Sequence, residues 1–576
     1  MAAWVFGSDC GSLDPTYRAR ARQMKAALTN IVVGIYMLWT HVTLRTSLLK
    51  ASLTVEKTQE HLLLKILREN SQTEFGKEHN FERISSVEEF RERVPINDYN
   101  NLEPYITRQQ EGNLELTVAE PVFYTRTSGT TGRHKYIPLT RFGVNQIKHF
   151  QKQLAYSLWR KTDFFKGTVL GFFSPGIEGR LANGIPFGST SGATYESLSS
   201  IFEKKFEIPK EAFNLDNVEA KYEVYALCAL VHGSTTGISS VNPSSLLKVC
   251  MLIEQRAEEL LDALVDGKDT NLLKGTASIL PSLRSQLLPY RKASLSQVLD
   301  KDGTIPPDIL WPKLSALVTW TGGSCGIALE KLKSYLPLNV NIVEMGYSCS
   351  EFNGTVNIDI KRNTCLPLLT DNFYEFVAKE DWESNSPKFL LLNEIDADKD
   401  YYIFVTTASG LYRYDINDVV RATDGVGNCP GLRFVRKGKG MTNITGEKIS
   451  EDQAIAAVSY GLKSAGYITE TFLVLAEEDA STYRIFVESS QNISVDLLSE
   501  KIEGELRKRN AEYDDKRASG RLNPVEVERL FEGAGEAIKT KFLQQGVRET
   551  QYKPPVLAYW NEWEEWIGDW TEGPTS

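Results

Sequence analysis

Residues 125–138 read Thr125-Arg126-Thr127-Ser128-Gly129-Thr130-Thr131-Gly132-Arg133-His134-Lys135-Tyr136-Ile137-Pro138, a hydroxyl-rich glycine loop between two apolar segments. Glycines at 129 and 132 let consecutive backbone N–H groups turn toward an anion, while Thr127, Ser128, Thr130 and Thr131 add hydroxyl donors and Lys135 adds charge. Such a loop is suited to holding phosphate. An ordinary hairpin is the competing reading, because turns draw on the same residue types.

Three other glycine motifs fail on inspection. A Walker loop needs lysine directly after its last glycine, and here Gly132 is followed by Arg133. The run Gly425-Val426-Gly427-Asn428-Cys429-Pro430-Gly431 has one residue too many for a dinucleotide fingerprint, and a proline where the helix should begin. Gly322-Gly323-Ser324-Cys325-Gly326 satisfies the serine-hydrolase pattern G-x-S-x-G between a strand and a helix. All the histidines, at 41, 61, 79, 134, 149 and 232, precede Ser324, whereas that hydrolase fold takes its base after the nucleophile.

The elements that must position the loop follow from periodicity. Val122, Phe123 and Tyr124 read as a strand entering it, and Tyr136 and Ile137 as a strand leaving it. Val144, Ile147, Phe150, Leu154 and Leu158 recur at steps of three and four, which predicts a helix from about Thr140 with one buried face. Upstream, 17–70 reads as helical, and Ser85-Ser86-Val87-Glu88 as the cap of a short helix that Val94-Pro95 ends. Downstream, 168–173 reads as strand, followed by a glycine-rich stretch at 176–192. Tyr222–Leu230 and Ser244–Leu264 read as helices separated at Asn242-Pro243, and Ala316–Trp320 and Val340–Glu344 as strands. Strands alternating with helices predict an α/β body with a partly parallel sheet. Residues 401–407 read as another strand. The basic, glycine-broken stretch 433–441 interrupts the pattern, and 472–531 reads as a small α+β unit. The boundary is therefore placed there, giving a large unit at 1–435 and a small one at 436–576.

The chain of 576 residues has 41% hydrophobic and 24% charged residues, an ordinary globular balance. A net charge of −10 and a pI near 5.5 argue against nucleic acid or an anionic membrane as the main partner. Seven cysteines without a C-x-x-C pair suit free thiols in a reducing cytoplasm. The apolar run 31–40 is about half the roughly 20 residues of a spanning helix, so a packed N-terminal helix is expected, with membrane contact as the alternative.

Four segments stand in order: T-S-G-T-T-G at 127, G-Y-S-C-S-E at 346, Y-R-Y-D-I-N-D at 412 and Q-Y-K-P-P at 551, accompanied by T-E-F-G-K at 73, V-P-I-N-D-Y at 94 and Leu310-Trp311-Pro312. In this order the chain resembles the acyl-adenylate-forming superfamily and, within it, the auxin-responsive Gretchen Hagen acyl acid-amido synthetases. The resemblance covers about 60 to 557. It implies an α/β fold with a large adenylate-forming domain of mixed sheets and helices, and a smaller mobile α+β domain joined by a hinge at about 433–441. The implied activity adenylates a small carboxylic acid with ATP and transfers the acyl group to an amine, an amino acid above all. An acyl-coenzyme A ligase sharing the adenylation step, or a nucleotide-binding regulator without turnover, remain as alternatives.

The resemblance also assigns roles. Thr127, Ser128, Gly129, Thr130, Thr131 and Gly132 would wrap the β- and γ-phosphates with help from Lys135. Gly323 and Ser324 would form a turn beside the nucleotide, and Ser350 and Lys437 would join its binding residues. Tyr347 would stack on adenine, Asp418 would accept hydrogen bonds from the ribose, Glu351 would hold Mg²⁺, and Lys553 would be the catalytic lysine of the small domain. The implied protein is a cytoplasmic monomer without nucleic-acid or membrane partners. Glycine-rich 176–192 and the helix at 222–231 are candidates for the acid pocket. Thr130-Thr131, with Arg133-His134 before Lys135, departs from the serine-rich loop of plant members, and Ser348-Cys349 departs inside the second motif. These variants leave auxin or jasmonate as the acid without support.

Overall fold

The computed structural model describes residues 30–571 except 129–133, 174–175, 191, 193–204, 216, 266–271, 323–324, 384–386, 439, 443, 445–446, 448, 470, 519–521 and 550–551. Helix α1, Asn30–Ala51, is longer than its apolar decamer suggests, because it runs on through Thr40, His41 and a π-helical turn at His41–Arg45. It is also less packed than expected: only 28% of its most apolar window is buried, and its 22 residues are long and apolar enough to cross a membrane. The helix Val55–Glu69 follows and packs fully, burying Leu62, Leu63, Ile66 and Leu67.

The loop's flanks form a hairpin. Strand β1, Pro121–Ser128, pairs antiparallel with β2, His134–Thr140, and short segments at Pro186–Gly188 and Gly179–Arg180 extend the sheet. The Thr140 hydroxyl then accepts from Gly143 N and caps α2, Arg141–Lys161, which buries Ile147, Phe150, Leu154 and Leu158 as the period predicts.

A fully parallel sheet follows, in the order β3 (Thr168–Gly171), β4 (Thr235–Ser239), β5 (Ala316–Thr319) and β6 (Asn341–Glu344). Strand β4 is absent from the sequence-based assignment, which placed only a break at Asn242-Pro243 between the helices at Tyr222–Leu230 and Ser244–Leu264. Its residues, T-T-G-I-S, carry a glycine and little apolar content, yet the strand is paired on both sides, and Gly237 is there because a Cβ would lie 2.5 Å from the Phe164 ring. The helix Val218–Val231 is buried from Tyr222 to Val231 against α3, Pro243–Val265, so it is core and not the pocket lining expected of it.

An antiparallel sheet contains Phe389–Leu391, β7 (Asn372–Ala378), β8 (Asp400–Thr407), β9 (Tyr414–Val426) and β10 (Cys429–Lys437) in that order. The strand continues through Arg433 to Lys437, where a break was expected, because β9 supplies a partner along its whole length. Beyond it, a separate core is assembled from Ile449, Phe472, Val474, Ile485, Leu498, Ile502 and their neighbours. Leu557–Tyr559 adds a strand parallel to Phe472–Glu477, and Trp563 and Trp570 bury against Leu473, Leu475 and Phe486, so the tryptophan tail covers the small unit's sheet.

One buried carboxyl is a pH-sensitive element of the parallel sheet. Glu207 accepts from the hydroxyls of Thr168 and Thr235, both at 2.6 Å, and burial raises its pKa from 4.5 to about 7 despite those bonds and nearby Arg291. Between pH 4.5 and about 7 the folded state holds a proton that the unfolded state has released, so stability falls as pH rises, by about 3 kcal/mol over the window. Glu207→Gln should flatten that decline, measured as the urea midpoint of the body from pH 4.5 to 7.5.

Candidate active site

The motif residues converge where the two large sheets meet. Glu344 ends β6, and its carboxylate accepts from Thr321 N at 2.8 Å and the Thr321 hydroxyl at 2.5 Å through one oxygen, and from Gly346 N at 3.0 Å through the other. It thereby holds the turns after β5 and β6 together at the carboxyl ends of parallel strands, where open α/β sheets place their ligands. Gly346 has φ +115°, and a Cβ there would lie 2.5 Å from Thr355 O, so only glycine admits the turn.

Tyr347 follows and is buried. Its hydroxyl donates to Asp418 Oδ2 at 2.7 Å, its ring stacks on Phe434 with centroids 5.9 Å apart at 15°, and its edge meets Phe352. Burial, then the Asp418 charge, raises its pKa well above 10. Asp418 is itself buried in β9 and pairs in register with Lys437 of β10, whose side chain lies outside the described set. Ser350 O accepts from the Thr125 hydroxyl at 2.7 Å, which ties the second motif to the strand that enters the phosphate loop. Thr127 and Ser128 pair in β1 with Lys135 and His134, and the Lys135 ammonium lies 5.4 Å from the Tyr99 ring. Gly129, Thr130, Thr131, Gly132, Gly323 and Ser324 lie outside the described residues.

The accompanying motifs form the scaffold of the site. Asn97 of V-P-I-N-D-Y donates its side-chain amide to Tyr412 O and its backbone N–H to Arg413 O, while Asn97 O accepts from Asp415 N. Tyr99 of the same motif accepts from Tyr136 N at 3.0 Å, linking the hairpin to the helix Tyr99–Gln110. Thr73 caps the T-E-F-G-K helix by accepting from Gly76 N, and Phe75 stacks on Tyr412 at 5.0 Å. Arg413 sits at φ +43°, costly for a residue that carries a Cβ, and is held there by Glu375 at 3.0 Å and by Val94 O at 2.9 Å. Arg91 closes the cluster on Glu375 at 2.8 Å.

The small unit reaches this place directly. The Lys553 ammonium lies 4.9 Å from the Trp320 ring and 4.6 Å from Phe434, which puts it beside the turn after β5 and on the ring that stacks on Tyr347. Among the described residues no carboxylate pairs with it. Its charge is felt at Cys325, whose thiol burial pushes up to about 11 and Lys553 draws back. Asn242 donates to Tyr552 O, Lys539 inserts against Tyr222 at 2.9 Å and Glu549 at 2.8 Å, and buried Arg548 pairs with Glu178. Glu178 also binds Arg126 of β1 at 2.8 Å, so one carboxylate bridges the phosphate-loop strand and the small unit. Sequence reasoning missed Arg126, Glu178, Asn242, Glu344, Phe434 and Arg548; the adjacency of Glu344 and Arg126 to motifs was the available signal.

Glu351 borders a cleft between α2 and the second motif, walled by Leu139, Ile147 and Phe352 with Gln146, Thr190 and Ser409. The Ser409 hydroxyl is buried and has no hydrogen-bond partner among the described residues. Thr190 brings the 176–192 segment to this cleft. Among the described residues no group of three or more potential metal ligands gathers. A single carboxylate fits a Mg²⁺ ion that keeps its water and takes its other oxygens from nucleotide phosphates.

This arrangement is that of an adenylate-forming enzyme, a class that uses ATP. A 2-hydroxyisobutyryl-CoA ligase in its postadenylation state shares the fold over 85% of this chain and 92% of its own, with a TM-score of 0.51 and 12% identity. The GH3.15 acyl acid amido synthetase superposes over 92% of this chain and 96% of its own, with a TM-score of 0.79 and 24% identity. The N-terminal, central and C-terminal domains of the GH3 family match residues 45–340, 365–437 and 452–562, and the chain belongs to that family. Its relatives include a jasmonoyl–L-amino acid synthetase of Nicotiana attenuata, 24% identical over 87% of this chain and 90% of the relative. A 4-substituted benzoates-glutamate ligase of Arabidopsis thaliana is 22% identical over 87% and 92%.

Arg548→Ala should detach the small unit from Glu178 while leaving Arg126 paired, a loss of about 1–2 kcal/mol. Acid-dependent pyrophosphate exchange is expected to fall about tenfold, and Arg548→Lys, without the planar fork, to restore it only in part.

Proposed function

We propose that this protein is an ATP-dependent acyl acid-amido synthetase, and the observation that carries the proposal is the convergence of Lys553 with the nucleotide motifs of the body. In the first half-reaction a carboxylate oxygen attacks the α-phosphorus of ATP, the bond to pyrophosphate breaks, and an acyl-adenylate forms. The lysine ammonium, poised over Phe434 beside Tyr347, offsets negative charge as it builds on the reacting oxygens. The 127–132 loop, with Lys135, orients the departing pyrophosphate. Asp418 takes the ribose hydroxyls through the carboxylate that already accepts from Tyr347, Tyr347 supports the adenine, and Gly323, Ser324, Ser350 and Lys437 complete the nucleotide's surroundings. Mg²⁺, held by Glu351, would supply charge neutralisation to the phosphates.

In the second half-reaction an amino acid amine attacks the acyl carbon and AMP leaves with the bonding electrons. The carboxylate alone could not do this, since oxide is a poor leaving group and AMP a good one. We place the pivot of the small unit in the second half of the 433–441 stretch, after Lys437, the last paired residue of β10, so that Lys553 withdraws once the adenylate has formed. The cleft of Leu139, Ile147, Phe352 and Ser409 suits a small acid with an apolar body and one polar group. The fold kinship with a coenzyme A ligase supports a second reading, thioester formation after the same adenylation.

Lys553→Ala should lower acid-dependent pyrophosphate exchange on the order of a hundredfold. Its side chain is exposed, so the fold should survive, and near-wild-type exchange would remove the lysine from the chemistry. Incubation with ATP and a panel of carboxylic acids, with either amino acids or coenzyme A, should yield AMP and an amide. A thioester instead would favour the second reading, and absence of AMP would exclude both.

A further inference from the structure

Helix α1 presents a face that no described part of the chain covers. Its inner residues Val33, Met37, Thr40 and Leu48 are buried, and Arg45 donates to Gln153 O at 2.8 Å and to the Ser157 hydroxyl at 2.6 Å on α2. The outer stripe is equally apolar. Ile31, Ile35, Leu38 and Val42 recur at steps of four and three, and together with Trp39 they are between 53% and 70% exposed. This stripe is about 17 Å long at 1.5 Å per residue, and soluble proteins rarely leave such a surface in water.

Its electrical surroundings are the reverse of the chain's. The whole protein carries −10, yet from Pro15 to Val55 there is no aspartate or glutamate, while Arg18, Arg20, Arg22 and Lys25 lie just upstream in sequence and Lys50 on the last turn. On α2 the Lys152 ammonium lies 5.4 Å from the Trp39 ring and 5.9 Å from the Tyr36 ring, with Lys148 one turn before it. A tryptophan and a tyrosine beside an apolar stripe edged with cations match the headgroup level of a bilayer.

We propose that α1 docks the protein on an anionic lipid surface, lying in the plane of the bilayer with its outer stripe at the acyl boundary and Lys50, with Lys148 and Lys152 of α2, against lipid phosphate. An in-plane pose follows from the inner face: crossing the bilayer would strip His41 from its stack on Tyr156 and Arg45 from Gln153 and Ser157 of α2. A second copy is a poorer occupant, because a two-fold contact through α1 would bring the same acid-free cationic stretch against itself.

The test is co-sedimentation of the full chain with vesicles of phosphatidylcholine alone and of phosphatidylcholine with phosphatidylglycerol, at low and physiological salt. Binding should favour the anionic vesicles and weaken with salt. The double substitution Ile35→Asp, Leu38→Asp should lower partitioning about tenfold or more while leaving acid-dependent pyrophosphate exchange unchanged. Brominated acyl chains should quench tryptophan emission in the wild type, and less in Trp39→Phe. Partitioning of the double variant within about twofold of wild type, or binding to neither vesicle, would overturn the proposal. So would a dimer in light scattering that the substitutions split without any vesicle binding.

Discussion

A hydrogen bond between two buried side chains, the Tyr347 phenol and the Asp418 carboxylate, sets the distance between the parallel sheet and the antiparallel one. Both groups would be expensive to bury alone, and each satisfies the other. Because burial keeps the phenol protonated far above its usual range, it remains a donor at any working pH and the carboxylate remains its acceptor. The neighbouring constraints point the same way. Gly354 leaves room for the Tyr347 ring where a Cβ would lie 2.8 Å from it, Phe434 stacks on the opposite side, and Gly322 lies against Phe434 O with space for a hydrogen alone. A nucleotide site at this seam inherits its dimensions from those contacts.

The family's motifs divide into residues aimed at the cleft and residues that hold others in place, a division invisible in a linear sequence. V-P-I-N-D-Y, T-E-F-G-K and the arginine of Y-R-Y-D-I-N-D are of the second kind: they bind one another and keep Arg413 in a left-handed backbone state just ahead of Asp418. Membership of the GH3 family therefore speaks to reaction class through shared architecture, while the cleft at Ile147, Phe352 and Ser409 is the proposed seat of the acid.

What the sequence revealed depended on how local the physical cause was. The hairpin around the phosphate loop, the amphipathic α2 and the strands at 316 and 341 carry their own periodicity and were legible. Strand β4 was not, because T-T-G-I-S becomes a strand only through partners on both sides. Helix α1 was misjudged in packing, since the apolar run that marked it as a packed helix is only partly buried. The segment at 222–231 is so uniformly apolar that it fits core and pocket equally well, and packing against α3 decides for core. Convergence of Tyr347, Asp418 and Lys553 was legible only through resemblance, and the Arg126–Glu178–Arg548 bridge not at all, because Arg548 lies 370 residues from Glu178.

Lys553 rests on two aromatic faces and, among the described residues, has no carboxylate beside it. Ring quadrupoles hold a cation without neutralising it, and they resist competition from dissolved salt more than an exposed ion pair does. Among the described residues, no carboxylate counter-ion must be dismissed before the lysine acts elsewhere. The charge that ties the small unit to the body here is instead that of Arg548, five residues earlier in the chain, which pairs with Glu178.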